Sequence, residues 1–209
     1  MSLSILLPWL DYASVLVFAL TGALVASRGQ LDVVGFIFFA TLTGIGGGTL
    51  RDLLLGRTPI WMERSELLLL TSGAAILVFF TAHLLESRYR VLLWLDAFAL
   101  AVAIPAGVGV AMTSGADPIV TVAMGVITGT LGGIMRDVVG NEVPLVLKQG
   151  ELYITAAFGG ALVAVILIFV GFPRPMALIF CGMVVLALRA GSMALGWRLP
   201  TYRARPPRL

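Results

Sequence analysis

The sequence predicts an all-α integral membrane protein with seven transmembrane helices: two inverted three-helix repeats plus a seventh helix. Three observations carry that expectation: the apolar content, the lengths of the charge-free runs, and a self-match at a shift of 85 residues. Of 209 residues, 59% are apolar and 12% charged, and the mean hydropathy is +1.03. Soluble domains carry roughly a quarter charged residues, and a water-soluble fold of this length could not hide so much apolar surface. Lipid removes that problem.

The charge-free stretches give the spans in order: 12–27, 33–50, 67–85, 97–116, 118–135, 152–173 and 175–188. Most approach the ~20 residues needed to cross a hydrocarbon core. The last is short, but Arg189 is followed by the apolar run 190–197, so an arginine at the membrane edge extends it. The whole chain, 1–209, then reads as one transmembrane domain. Residues 8–90 form repeat one (spans 1–3), 91–173 repeat two (spans 4–6), 174–197 the seventh span and 198–209 a basic tail.

Under the 85-residue shift the telling matches fall on polar and special residues. Asp11 meets Asp96, Gly22 meets Gly107 and Asp32 meets Asp117; Gly44, Gly47 and Gly48 meet Gly129, Gly132 and Gly133. Arg51 and Asp52 meet Arg136 and Asp137, Pro59 meets Pro144, and Glu66 meets Glu151. Three spans per copy is an odd number, so the second copy starts from the opposite side of the membrane. Inverted repeats are typical of transporters and place a substrate path near the midplane between the halves.

The net charge of +3 and pI near 9.5 do not point to nucleic acid. Arg198, Arg203, Arg205 and Arg208 lie after the last span, where cations orient the chain and rest on anionic lipid. One side of the membrane holds Arg57, Arg64 and Arg174; the other holds Arg28, Arg88, Arg90, Lys148 and the four tail arginines. That imbalance places the C-terminus in the cytoplasm and the N-terminus outside, and no cleavable signal peptide is evident.

Two motifs hold the candidate chemistry. GIGGGTLRD (44–52) and GTLGGIMRD (129–137) place clustered glycines before an Arg-Asp pair in spans 2 and 5. Glycine is a poor helix former, so Gly44, Gly46, Gly47 and Gly48, with Gly129, Gly132 and Gly133, are expected to bend or unwind their helices. Carbonyls freed into a wet cavity are hard ligands for an alkali cation; close helix packing is the competing reading. Neighbouring helical residues point about 100° apart, so Arg51 and Asp52, and Arg136 and Asp137, are not expected to pair with each other. Asp11 is the expected partner of Arg51 and Asp96 that of Arg136, giving one charged constriction toward each face.

Asp32, Glu66, Asp117 and Glu151 read as caps at helix starts. Pro105 is expected to interrupt span 4. One histidine and one cysteine make no zinc site, and no nucleophile elbow is present, so neither an enzyme nor a bound cofactor is expected.

At these paired glycine and Arg-Asp motifs the sequence resembles the prokaryotic trimeric intracellular cation (TRIC) channel family, whose bacterial members are also described as glycine transporters. The resemblance covers residues 8–197. It implies a homotrimer in the inner membrane of a prokaryote, one potassium-permeable pore per protomer, and kinks at Gly46, Gly47, Gly48, Gly132 and Gly133. It also implies transient potassium sites at the backbone carbonyls of 46–48 and 132–133. Leu131 stands where the second motif would carry a third glycine, and no counterpart of the lysine-containing phosphoinositide motif of animal members is evident. A carrier for glycine or another small zwitterion, and a non-conducting scaffold, are the alternatives.

The charge asymmetry fixes an orientation that can be measured. A reporter fused after Leu209 is expected in the cytoplasm and a tag before Ser2 outside; both termini on one side would remove the odd span count and the inversion.

Overall fold

The computed structural model describes residues 3–85, 87–148 and 151–200. Arg203, Arg205 and Arg208 of the tail lie outside the described residues. Regular structure among the described residues is entirely helical: α1 (Leu3–Arg28), α2 (Val33–Leu54), the single turn α3 (Ile60–Glu63), α4 (Glu66–Thr81), α5 (Arg88–Thr113), α6 (Pro118–Val139), α7 (Tyr153–Phe169) and α8 (Arg174–Leu195). Short 3-10 turns cover Ala82–Leu84 and Leu145–Leu147. Six helices are long and apolar enough to cross a membrane (α1, α2, α4 with its 3-10 turn, α5, α6 and α8), and α7 is a shorter apolar helix of 17 residues.

The helix ends have local causes. The Asp32 carboxylate accepts the Gly35 N–H at 2.8 Å and caps α2. Ser87 accepts the Arg90 N–H and caps α5. Pro118 opens α6, where its missing donor costs nothing. Gly196, in the left-handed region at φ 70°, ends α8. The turns also match across the 85-residue shift: Gln30 and Gly115 share a positive φ, as do Gly56 and Asn141.

The helices are longer than the charge-free runs. Asp11 lies inside α1 rather than opening it, Arg88 and Arg90 form the first turn of α5, and α2 runs past the Arg51-Asp52 pair. α5 also continues through the buried Pro105, which corrects the expected interruption. Asp117 occupies the N-cap position of α6 without a side-chain capping bond. Glu66 lies in the first turn of α4 and accepts the Tyr12 hydroxyl. Glu151 is not a cap; its carboxylate pairs with Arg189 of α8 at 3.0 Å.

α1 and α5 occupy the centre, with α2 and α6 packed on them and on each other. α1 and α5 run antiparallel: Ser4 of α1 and Thr113 of α5 line one cavity, whereas Arg88 of α5 reaches the Ser27 carbonyl at the far end of α1. α2 and α6 also cross antiparallel, and their glycines make the crossing possible. A Cβ on Gly47 would run into the Thr128 carbonyl oxygen, and one on Gly132 into that of Thr43. These pairs are related by the same 85-residue shift.

Both glycine motifs lie within unbroken α-helix, which corrects the expected unwinding. Packing is the role the geometry gives Gly47 and Gly132, since two backbones approach where a methyl would stand. At Gly44 an added methyl would meet the Val15 carbonyl oxygen at 2.9 Å, and at Gly129 the Ile104 side chain at 2.5 Å. Gly46 faces only the flexible Met135 side chain, and Gly48 has open van der Waals space to Arg51 and Ile60.

Alanine substitution separates these positions. Gly47→Ala forces two backbones apart, and overpacking of this kind costs about 1–3 kcal/mol, whereas Gly48→Ala leaves the crossing intact. Thermal unfolding in detergent is expected to show a lowered midpoint for the first and a near-native one for the second. Equal midpoints would deny the close crossing.

Candidate functional site

The arginine of each Arg-Asp motif is buried, and each collects carboxylates from two directions. Arg51 Nη1 donates to Asp11 Oδ1 at 2.8 Å and its Nε to Asp52 Oδ1 at 2.8 Å. Arg136 Nη1 donates to Asp96 Oδ1 at 3.0 Å and its Nε to Asp137 Oδ1 at 2.8 Å. The pairs across helices match expectation. The pairs between sequence neighbours do not, because an arginine side chain is long enough to fold back over the gap between adjacent positions. Neither arginine snorkels to the surface: Arg51 is 1% exposed and Arg136 is 0% exposed.

The second oxygen of each aspartate explains why the neighbour is held. Asp52 Oδ2 accepts the Ile60 N–H at 3.0 Å, and Asp137 Oδ2 accepts the Leu145 N–H at 2.8 Å. Each motif therefore pins the loop that follows it and seats one apolar side chain, Ile60 or Leu145, in the interior. The proline before each of these residues, Pro59 or Pro144, sets the turn and is the signal in the sequence that marks the loop.

The two ends differ in access. At the Arg51 end a polar cavity of about 210 Å³ is lined by Asp11, Arg51, Asp52, Arg57, Glu63 and Arg64, among others. Asp11 and Ile60 also line a second, far smaller space of about 10 Å³ that continues inward past Ser14, Gly44 and Gly47 to Phe18 and Thr128. That volume holds roughly one water. Beyond it lies the Arg136 cluster, sealed. Asp96 and Arg136 are wholly buried, and Arg136 Nη1 is also held by the Thr21 hydroxyl at 2.8 Å. The shift pairs Thr21 with Ala106, so the Arg51 end has no such lock. Both cavities therefore lie on the Arg51 side, and neither is lined by the Arg136 cluster.

Several residues of this arrangement carry no motif. Thr21, Ile60 and Leu145 read as ordinary span or loop residues. Tyr153 lies at the start of α7 with its hydroxyl beside Asp96. Arg189 is fully buried among the helices. It pairs with Glu151 and lies over the Tyr153 ring at 4.8 Å. A lone cation within an apolar run was the signal available for Arg189.

Fold and site together define a polytopic helical membrane protein with its ionisable groups turned inward along a path, the pattern of proteins that pass polar solutes through lipid. The family model described as "Glycine transporter" matches the chain twice, over residues 8–83 and 93–168, the two matches offset by the same 85 residues. The chain belongs to that family, which includes the prokaryotic TRIC proteins. The chain is 34% identical over 200 residues to the UPF0126 inner membrane protein YadS of Escherichia coli K12, covering 93% of this chain and 95% of that one. It is 35% identical over 202 residues to a UPF0126 membrane protein of Vibrio cholerae, covering 94% and 83%. Among solved structures, the TRIC trimeric intracellular cation channel orthologue from Rhodobacter sphaeroides superposes with a TM-score of 0.88 at 45% identity, over 91% of this chain and 98% of that one. A structure described under conductance through TRIC cation channels superposes at 0.84 and 30% identity, covering 96% and 98%.

Removing one member of a buried ion pair strands its partner. Arg136→Ala leaves Asp96 and Asp137 without their cation, a loss of about 3–5 kcal/mol. Arg136→Ala with Asp96→Ala is expected to cost less than the two singles summed. Thermal midpoints in a double-mutant cycle measure the coupling, which should exceed the ~0.5 kcal/mol scatter of independent sites. The Arg51–Asp11 cycle should give a smaller value, because Asp11 is partly open to the cavity. Additivity at both ends would remove the clusters as cooperative units.

Proposed function

We propose that this protein is a passive channel for monovalent cations, potassium foremost, with one pore inside each protomer of a homotrimer. The observation that carries the reading is the polar cavity at Asp11, Arg51 and Asp52, with the small space that shares Asp11 and Ile60 with it and is bounded inward by Phe18, Ala103 and Thr128, short of the buried Arg136 cluster. Similarity to proteins described as TRIC trimeric intracellular cation channels supports the class and the trimer, and the relative described as an inner membrane protein supports the membrane.

On this reading α7 completes a set of seven spans. Its 17 residues extend about 26 Å, which is enough for a thin or locally adapted bilayer. The antiparallel placement of α1 against α5 and of α2 against α6 supports two inverted copies, and the N-terminus outside makes the cavity an outer vestibule. Asp11, Arg51 and Asp52 then form the outer constriction, and Asp96, Arg136 and Asp137 the inner one, closed here. Each ion pair shuts its end by occupying the path. Potassium contact with the carbonyls near Gly46–Gly48 and Gly132–Gly133 belongs to a conducting arrangement in which those helices open. No cofactor enters this mechanism, and anionic lipid is the expected neighbour of the cationic tail.

A second reading has its own support: the family description names glycine transport, and the vestibule offers carboxylates and guanidinium groups together, as a zwitterion would need. Reconstituted protein distinguishes them. Discrete current steps in a potassium gradient are expected of the channel, saturable uptake of labelled glycine without steps would identify the carrier, and neither would leave a scaffold.

A further inference from the structure

The inner cluster meets residues of α7 and α8, whereas at the outer end Arg64 lies over Tyr12, whose hydroxyl bonds Glu66 rather than Asp11. Tyr153, 2% exposed, opens α7. Its hydroxyl shares the small space at Gly133 with Asp96 and Arg136. A Cβ on Gly133 would find the Tyr153 oxygen at 3.2 Å, Asp96 Oδ1 at 3.5 Å and Arg136 Nη2 at 3.6 Å. Asp96 Oδ2 and Arg136 Nη2 make no hydrogen bond among the described residues, and the Tyr153 hydroxyl shares its space with Asp96 Oδ1, the oxygen that already accepts from Arg136.

Tyr153 is itself held from behind. The Arg189 guanidinium lies over its ring at 4.8 Å and pairs with Glu151, two residues before it, at 3.0 Å. Arg189 Nε and Nη2 are buried with no hydrogen-bond partner among the described residues. A wholly buried cation with two idle donors is costly, and what offsets that cost here is one ion pair and one aromatic face. The 85-residue shift places Tyr153 on Leu68, and α8 has no counterpart in the first copy. Asp11, at the outer end, is 8% exposed and Asp96 0%.

We infer that Arg189 and Tyr153 are positioning residues for the inner constriction: Arg189 presses Tyr153 against Asp96, and this contact holds the Arg136–Asp96 pair shut. The inference rests on the channel reading. It makes the unduplicated helix α8 the element that gives the two ends unequal stability, so that the inner end is the one that gates. Tyr153 and Arg189 do not line the vestibule or the narrow space beyond it, so their replacement leaves that outer part of the path untouched.

Single-channel recording of the trimer in planar bilayers with potassium chloride tests this. Tyr153→Phe keeps the ring over which Arg189 lies and removes only the hydroxyl. Loss of one hydrogen-bond-sized contact from the closed state should raise open probability about fivefold, with unitary conductance unchanged. Arg189→Met should move open probability the same way, and Arg189→Lys, which can still pair with Glu151, should return it toward wild type. Should Arg189→Met not accumulate as folded trimer, Tyr153→Phe decides alone. A lowered thermal midpoint with wild-type open probability would mean a purely structural brace and overturns the inference while leaving the channel reading in place. Wild-type protein that passes no cation current overturns both.

Discussion

A guanidinium group inside a membrane protein must be surrounded, because lipid offers it nothing and the cost of leaving it bare runs to several kcal/mol. Arg51 and Arg136 meet that constraint in the same way. Each draws a carboxylate from the helix that begins its three-helix unit and another from the next residue in its own helix. The neighbouring aspartate then spends its remaining oxygen on a loop N–H. One buried cation thus ties together a central helix, the end of a crossing helix and the loop after it. The end of each helix bundle is organised around these few bonds.

The second constraint is backbone proximity. α2 and α6 cross where Gly47 faces the Thr128 carbonyl and Gly132 the Thr43 carbonyl, so the two helices approach more closely than any side chain permits. This crossing lies between the two charged clusters, and the narrow space that reaches Thr128 runs beside it. Small residues here set the width of the interior, as they do where helices associate in lipid without a hydrophobic drive. The glycines of the motif are not equivalent. Gly47 and Gly132 are sterically required, while Gly48 has room to spare.

Near-symmetry makes the departures informative. Thr21 bonds to Arg136, and its counterpart Ala106 has no hydroxyl to offer Arg51. Tyr153 lies beside Asp96 with Arg189 over its ring, whereas at the other end Arg64 lies over the Tyr12 ring, whose hydroxyl bonds Glu66 and not Asp11. The two charged clusters are similar, and a handful of side chains that differ between the copies accompany a fully buried Asp96 and an Asp11 that borders a cavity.

The sequence by itself determined the membrane environment, the helical class, the duplication and the pairing of Asp11 with Arg51 and Asp96 with Arg136. All of these follow from composition, period and a fixed offset, which are local or additive properties. It did not show that Arg51 folds back onto Asp52, since helical angle alone neglects the reach of an arginine and the pull of a loop N–H eight residues on. Of its two readings of the glycines, unwinding and packing, the fold favours packing: propensity describes an isolated helix, and here packing against another backbone keeps the helix whole. Arg189 was visible only as a charge in an apolar run, and its burial under Tyr153 depends on how α8 lies against α7. Contacts between residues far apart in the chain are decided by tertiary packing, because desolvating a charge commits it to whichever partner the fold brings within about 3 Å.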